Sequence, residues 1–374
     1  MKVLLLGSKE YPFGSSSGYD RRPGGGIEAH VEKLAKYLSK DGNEAFIITR
    51  KFPAQNEEEH IGKIHVYRIG YMKNIFLRTL TFNRNAAKKA AEQRVIGPKR
   101  IIDEVDIIHC HGPVAGFFGS RLAKKFKKPM IFTPHGIVVD WCWPIKKIVS
   151  YFEKKSFASA KKNIFIAENE AKALGGTSRN SILLSNAVDL DEYPEAKRTW
   201  KGTRFLFLGR LEEVKGIKYL MNAFKKLSSA TGGVELYIGG RGSMEGWVAD
   251  FAERNGLAGR VKTTGWVKAA DALSKTDVFV LPSWETGQPI ALLEAMASGK
   301  VIITSLSYIR DGRTGIMVKA KDIDGLYEKM LYVHKNLHKC RQLGRNARSH
   351  AKERYSWPEM IKKVESVYKE CISS

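Results

Sequence analysis

Little in this chain could cross-link it, anchor it in a bilayer or mark it for export. Its four cysteines, Cys110, Cys142, Cys340 and Cys371, are scattered through 374 residues without pairing or ligand spacing. That excludes a disulfide framework and fits a reducing compartment. No apolar run approaches the ~20 residues that cross a membrane. The opening MKVLLLGS reads as a strand and a turn, its apolar run too short for a signal peptide. These absences give the expectation of a cytoplasmic protein. Acidic residues are also scarce, 39 against 63 Lys and Arg, leaving a net charge of +24. Such an excess implies an acidic partner: nucleic acid, anionic lipid headgroups or a phosphorylated substrate. No nucleic-acid-binding motif accompanies it, so nucleic acid is not expected.

The excess is concentrated. Between residues 61 and 100 ten Lys or Arg face one acidic residue, interleaved with Tyr67, Tyr71, Phe76 and Phe82. This stretch is a candidate for peripheral contact with an anionic membrane on the cytoplasmic face.

What is present is a repeated alternation of short apolar runs and amphipathic segments. Residues 2–6, 46–49, 65–69, 105–110, 130–133, 163–167 and 181–184 read as strands, with helices over 27–40 and from 113 through 126. Residues 186–202 are polar and aperiodic and read as a linker. The pattern then restarts with strands at 205–208, 234–238, 261–263, 278–281 and 301–303, and the tail from Asp324 is helical. The fold class is therefore α/β, two Rossmann-like doubly wound domains. The expected boundaries are 1–186, with 357–374 added as a crossover helix, and 187–356. Ligands in such folds bind beyond the C-terminal ends of the strands.

The most informative stretch is residues 278–304, VFVLPSWETGQPIALLEAMASGKVIIT. A buried strand runs into a polar loop, Pro289 sits where a helix begins, and Gly299 sits just past its end. The helix is apolar nearly all round except for Glu294, a carboxylate that needs a partner. Arg210 and Lys215 lie between a strand and a helix, where they could clamp a diphosphate. Gly24, Gly25 and Gly26 put flexible backbone at a helix N-terminus, open to close approach by a phosphate.

His135 ends a strand. His109 and His111 share a strand face by alternation, but no third ligand is apparent, so no metal is expected. Asp189, Asp191, Asp322 and Asp324 read as turn and cap residues. The run Gly239-Gly240-Arg241-Gly242 fails as a dinucleotide loop because Glu245 occupies the third glycine position.

In order along the chain, GGIEAHVEKLAKYL, DIIHCHGP, TPHG, FLFLGRLEEVKGIKYLMNAF, LYIGGRG, the block 277–299, DGRTG and ERYSWPEMIKKVESVY together resemble glycosyltransferase family 4. The resemblance covers essentially the whole chain. It implies a GT-B fold, two domains facing across a cleft with the last helix crossing back. It also implies retaining, metal-independent transfer of a sugar from a UDP-, GDP- or ADP-sugar to an acceptor glycan or lipid-linked sugar, with no other cofactor. By matching position, Arg210 and Lys215 would hold the donor diphosphate and Glu294 the ribose hydroxyls. Backbone at Gly287, Gln288 and Pro289 would meet the sugar and phosphate. Gly25 and Gly26 would flank the diphosphate, and His135 would touch the transferred sugar.

Two departures stand out. Glu285 and Glu294 are separated by eight residues where the family has seven, and Thr286 stands at the first Glu position. Glu285 is expected to reach the sugar through a one-residue bulge. After Thr304 the chain passes through Ser305 to Gly312 without the family's Gly-Gly loop and Glu. The sugar-nucleotide 2-epimerases share the architecture and are the alternative activity, as is a catalytically silent transferase-like subunit.

Overall fold

The computed structural model describes residues 1–12, 26–72, 77–96, 99–135, 145–166, 171, 180–195, 199–284 and 288–374. Contacts divide the chain into two units, Met1–Asn186 with Met360–Ser374, and Ala187–Glu359. Each has its own parallel sheet, as an α/β chain with restarting alternation should.

In the first unit the strands are β1 (Lys2–Leu6), β2 (Glu44–Arg50), β3 (Glu58–Ile61) and β4 (Ile64–Ile69). A small hairpin, β5 (Arg94–Ile96) and β6 (Lys99–Arg100), comes before β7 (Ile107–His111), β8 (Met130–Thr133), β9 (Lys162–Phe165) and β10 (Ser181–Leu183). The eight-stranded sheet has the order β10-β9-β8-β7-β1-β2-β4-β3. Only β3 runs antiparallel to its neighbour. Strands β1, β7 and β8 are apolar runs buried on both faces, as a sheet covered by helices on each side requires. The helices Gly26–Lys40, Arg78–Glu92, Pro113–Phe126 and Ile145–Ser159 belong to this unit. Helix Ile145–Ser159 and strand β3 were not legible in the sequence.

The second unit contains β11 (Thr203–Leu208), β12 (Val234–Gly239), β13 (Val261–Gly265), β14 (Val278–Leu281), β15 (Val301–Thr304) and β16 (Ile316–Met317). The order is β13-β12-β11-β14-β15-β16, all parallel. Its core packs Phe205, Phe207, Phe224, Phe279, Leu292 and Met296 with essentially no exposure. Residues 187–195 of the expected linker are not free. Val188 and Tyr193 are buried in this core, and Val188 bridges to Ser356. Polar composition hid a segment anchored by two large apolar side chains.

Helices Ile323–Lys335, Leu337–Arg354 and Trp357–Ser373 complete the chain. From Met360 on, the last helix belongs to the first unit. Tyr368 is fully buried there, Glu365 accepts from Asn43 at 2.6 Å, and the Cys371 carbonyl accepts from Lys161 at 2.8 Å. Among the described residues no helix is long and apolar enough to cross a membrane.

One backbone approach fixes the loops of the second unit. Gly216 has φ +80°, and a Cβ there would sit 2.1 Å from the carbonyl oxygen of Pro282. Gly216→Ala combines a left-handed backbone penalty with that clash and should lower stability by more than about 2 kcal/mol. Gly246, where a Cβ meets nothing within 4 Å, is the control. Equal urea midpoints for Gly216→Ala and Gly246→Ala would contradict this packing.

Candidate functional site

In the second sheet β12 and β13 are added on one side of β11, and β14, β15 and β16 on the other. The loops leaving β11 and β14 therefore diverge, and a crevice opens at their C-terminal ends. Side chains and backbone tie its two rims together. Ser283 Oγ and the Trp284 N–H both donate to the Val214 carbonyl at 3.1 Å. Ser305 Oγ donates to Ser283 O at 2.5 Å, and Thr304 Oγ1 to Leu281 O at 2.7 Å. On the other rim the Leu211 N–H donates to Arg241 O at 2.9 Å. Ser305 thus holds the β14 loop from the place where the family pattern has a Gly-Gly turn. The shortened loop is itself braced, with Asp311 Oδ1 accepting from Met317 N at 2.8 Å.

Arg210 and Lys215 lie in the first of these loops, Arg210 exposed and Lys215 half-buried. Pro289 is the N-cap of helix Ile290–Ala297 and not its first residue, and Gln288 beside it is buried. The first turn of that helix faces the same end of the sheet as the Arg210 loop, because β11 and β14 are parallel neighbours. Glu294 has the partner its position demands. Tyr193 Oη donates to Glu294 Oε1 at 2.6 Å. Burial, reinforced by that carboxylate, pushes the Tyr193 phenol well above its ordinary pKa and keeps it a donor. Arg348 donates to the Tyr193 carbonyl at 2.5 Å and also to Ala297 O, tying the segment to the end of the Glu294 helix. Sequence reasoning missed Tyr193 because it sits in the apparent linker; its one signal was an aromatic in a polar run.

Gly25, Glu285 and Gly287 lie outside the described residues. Gly26 opens helix Gly26–Lys40 and is exposed.

In the first sheet the order reverses between β1 and β7. His111 ends β7 and His135 follows β8 by two residues. His135 is half-buried with φ +62°, a left-handed conformation that is strained for a side-chain-bearing residue. His111 Nδ1 and His135 Nε2 are 2.8 Å apart. His30, on helix Gly26–Lys40, joins them with ring centroids 5.6 Å from His111 and 5.0 Å from His135. Burial holds His30 down at about 4 against the opposing bond from Asn186, and holds His111 and His135 well below the usual imidazole range. All three are neutral at physiological pH. His109 does share a face with His111, their rings 4.1 Å apart. It is satisfied elsewhere, by Tyr368 Oη at 2.6 Å and Thr133 Oγ1 at 2.8 Å. Alternation picked out His111 and the strand end picked out His135; a helix about 80 residues earlier supplies His30, which no local spacing could reveal.

The acidic and basic side readings resolve in part. Asp322 caps helix Ile323–Lys335 by accepting from Gly325 N at 2.9 Å, and Glu245 accepts from Gly242 N at 3.0 Å. In the basic stretch, Tyr67 and Phe82 are core residues, Arg68 is buried against Glu59, and Arg100 pairs with Asp103 at 2.8 Å. Arg84, Lys88, Arg94 and Lys99 remain exposed.

Two families of descriptions match the chain: residues 24–192 as Glycosyltransferase Family 4 and residues 202–336 as Glycosyl transferases group 1. An uncharacterized glycosyltransferase of Methanocaldococcus jannaschii is 26% identical over 383 residues, covering 94% of this chain and 96% of the relative. Sucrose-phosphate synthase from Thermosynechococcus elongatus superposes with a TM-score of 0.83 at 18% identity, covering 100% of this chain and 99% of that one. The Anabaena protein HepE, solved with UDP-glucose, gives 0.75 at 16% identity, covering 99% and 100%. The chain belongs to the family 4, group 1 glycosyltransferases, and its two Rossmann-like domains are of the GT-B type.

Removing the Tyr193 hydroxyl leaves the half-buried Glu294 carboxylate short of a charge-assisted bond, a loss of about 1.5–3 kcal/mol. Tyr193→Phe should therefore lower the thermal midpoint of unfolding. A melt superimposable on that of the parent would show that the bond stabilises nothing.

Proposed function

We propose that this chain transfers a sugar from a nucleotide-sugar donor to an acceptor hydroxyl, with retention at the anomeric carbon and without a metal in the reaction. The observation that carries this reading is the reversal of strand order between β11 and β14, with two cations in the loop after one strand and a helix N-terminus after the other. That is an arrangement suited to a diphosphate.

When the sugar leaves, the bond between its anomeric carbon and the diphosphate oxygen breaks and negative charge grows on the diphosphate. Arg210, Lys215 and the N-terminal dipole of helix Ile290–Ala297 stabilise that charge. The acceptor oxygen bonds to the same face of the anomeric carbon that the diphosphate leaves, and its proton passes to a phosphate oxygen. Glu294, held by Tyr193, takes the ribose hydroxyls, and His135 touches the transferred sugar. Glu285, one residue out of the family's register, is the further carboxylate assigned to the sugar. The HepE complex makes a uridine diphosphate sugar the first donor to assay.

Replacing Arg210 or Lys215 by Ala should weaken nucleoside-diphosphate binding by on the order of 1–3 kcal/mol each, as for hydrogen bonds to charged groups. Calorimetry that finds both variants unchanged would reject the donor site. Transfer should release free nucleoside diphosphate, not a new nucleotide sugar as an epimerase would, and should continue in saturating EDTA. Loss of turnover restored only by magnesium or manganese would reject the metal-free reaction.

A further inference from the structure

We propose that His30, His111 and His135 form a site for a late first-row divalent transition metal, zinc foremost, that holds the enzyme inactive. One ligand nitrogen from each ring lies within 4.8 Å of the others. The three rings come from a helix, a strand end and a strained turn, elements fixed by the core of the first unit. A tetrahedral zinc with bonds of about 2.0–2.1 Å places its ligand nitrogens roughly 3.3 Å apart. His111 Nδ1 and His135 Nε2, now 2.8 Å apart, need to open only slightly, and His30 to close.

A second observation points the same way. Two nitrogens facing each other at 2.8 Å need a proton between them. A metal takes that place, and the ring that carried the proton adopts its other tautomer. Among the described residues the donor set is imidazole alone, since Cys110 points to the opposite face of β7, against Gly119. Such a set favours zinc, copper or nickel over magnesium, calcium or manganese.

The consequence for activity rests on the proposed function. A metal on His135 uses the lone pair or displaces the ring that would meet the donor sugar, so occupancy blocks transfer while chelation permits it.

The test uses the untagged, chelator-stripped full chain. Cobalt titration should give the intense visible absorption of four-coordinate cobalt at one equivalent, and zinc should displace it. His30→Gln and His111→Gln, checked for parental circular dichroism, should each weaken zinc binding by at least about 10-fold, since loss of even an outer partner has that effect. His60→Ala breaks the exposed His60–His65 pair, whose Nδ1 atoms are 2.8 Å apart, and should leave binding unchanged. Absence of the cobalt band in the parent would overturn the site. So would a band that survives both cluster variants or vanishes with His60→Ala. In assays of nucleoside-diphosphate release, zinc should inhibit the parent at its binding midpoint, and His30→Gln should need at least about 10-fold more. Saturated zinc binding without inhibition would overturn the inhibitory role. The cobalt titration needs no turnover, so the site and the transferase reading fail separately.

Discussion

The reversal of strand order between β11 and β14 is the constraint on which the second unit depends. Parallel neighbours whose onward connections run to opposite sides must leave their C-terminal loops apart. The chain fills most of that opening with its own bonds. Gly216 lets one loop press against the Pro282 carbonyl, and Ser283, Trp284 and Ser305 fasten the other. What stays accessible is the edge carrying Arg210 and Lys215. Arg210 there is exposed and Lys215 half-buried.

The first unit makes the same reversal between β1 and β7 but furnishes it with neutral imidazoles. Burial disfavours the protonated form of each ring well into the acid range, so the three rings stay lone-pair donors and not cations. One fold repeated twice thus presents cations at one switch point and uncharged ligands at the other. The difference lies in a handful of side chains at strand ends, which is where function resides in such folds.

Most of the sheet was legible because parallel strands buried on both faces read as unbroken apolar runs. MKVLLL, VFVL and VIIT needed no context. Strand β3, EEHI, failed because an edge strand with exposed side chains carries no such run. Residues 186–202 misled because their few apolar anchors, Val188 and Tyr193, are spaced without a period. Arg210, Lys215 and Glu294 could be placed from sequence because each follows a recognisable strand. Tyr193 and His30 could not, since each reaches its partner only through tertiary packing, Tyr193 across 101 residues to Glu294.

The central claim is that the β11–β14 crevice binds the diphosphate of the donor. Hydrogen exchange with UDP, GDP or ADP present tests it most directly, because bound ligand suppresses local opening of the segments it touches. At least one of the three should slow exchange in residues 209–217 and 288–296. Protection confined to the first unit, or none with any of the three, would contradict the account.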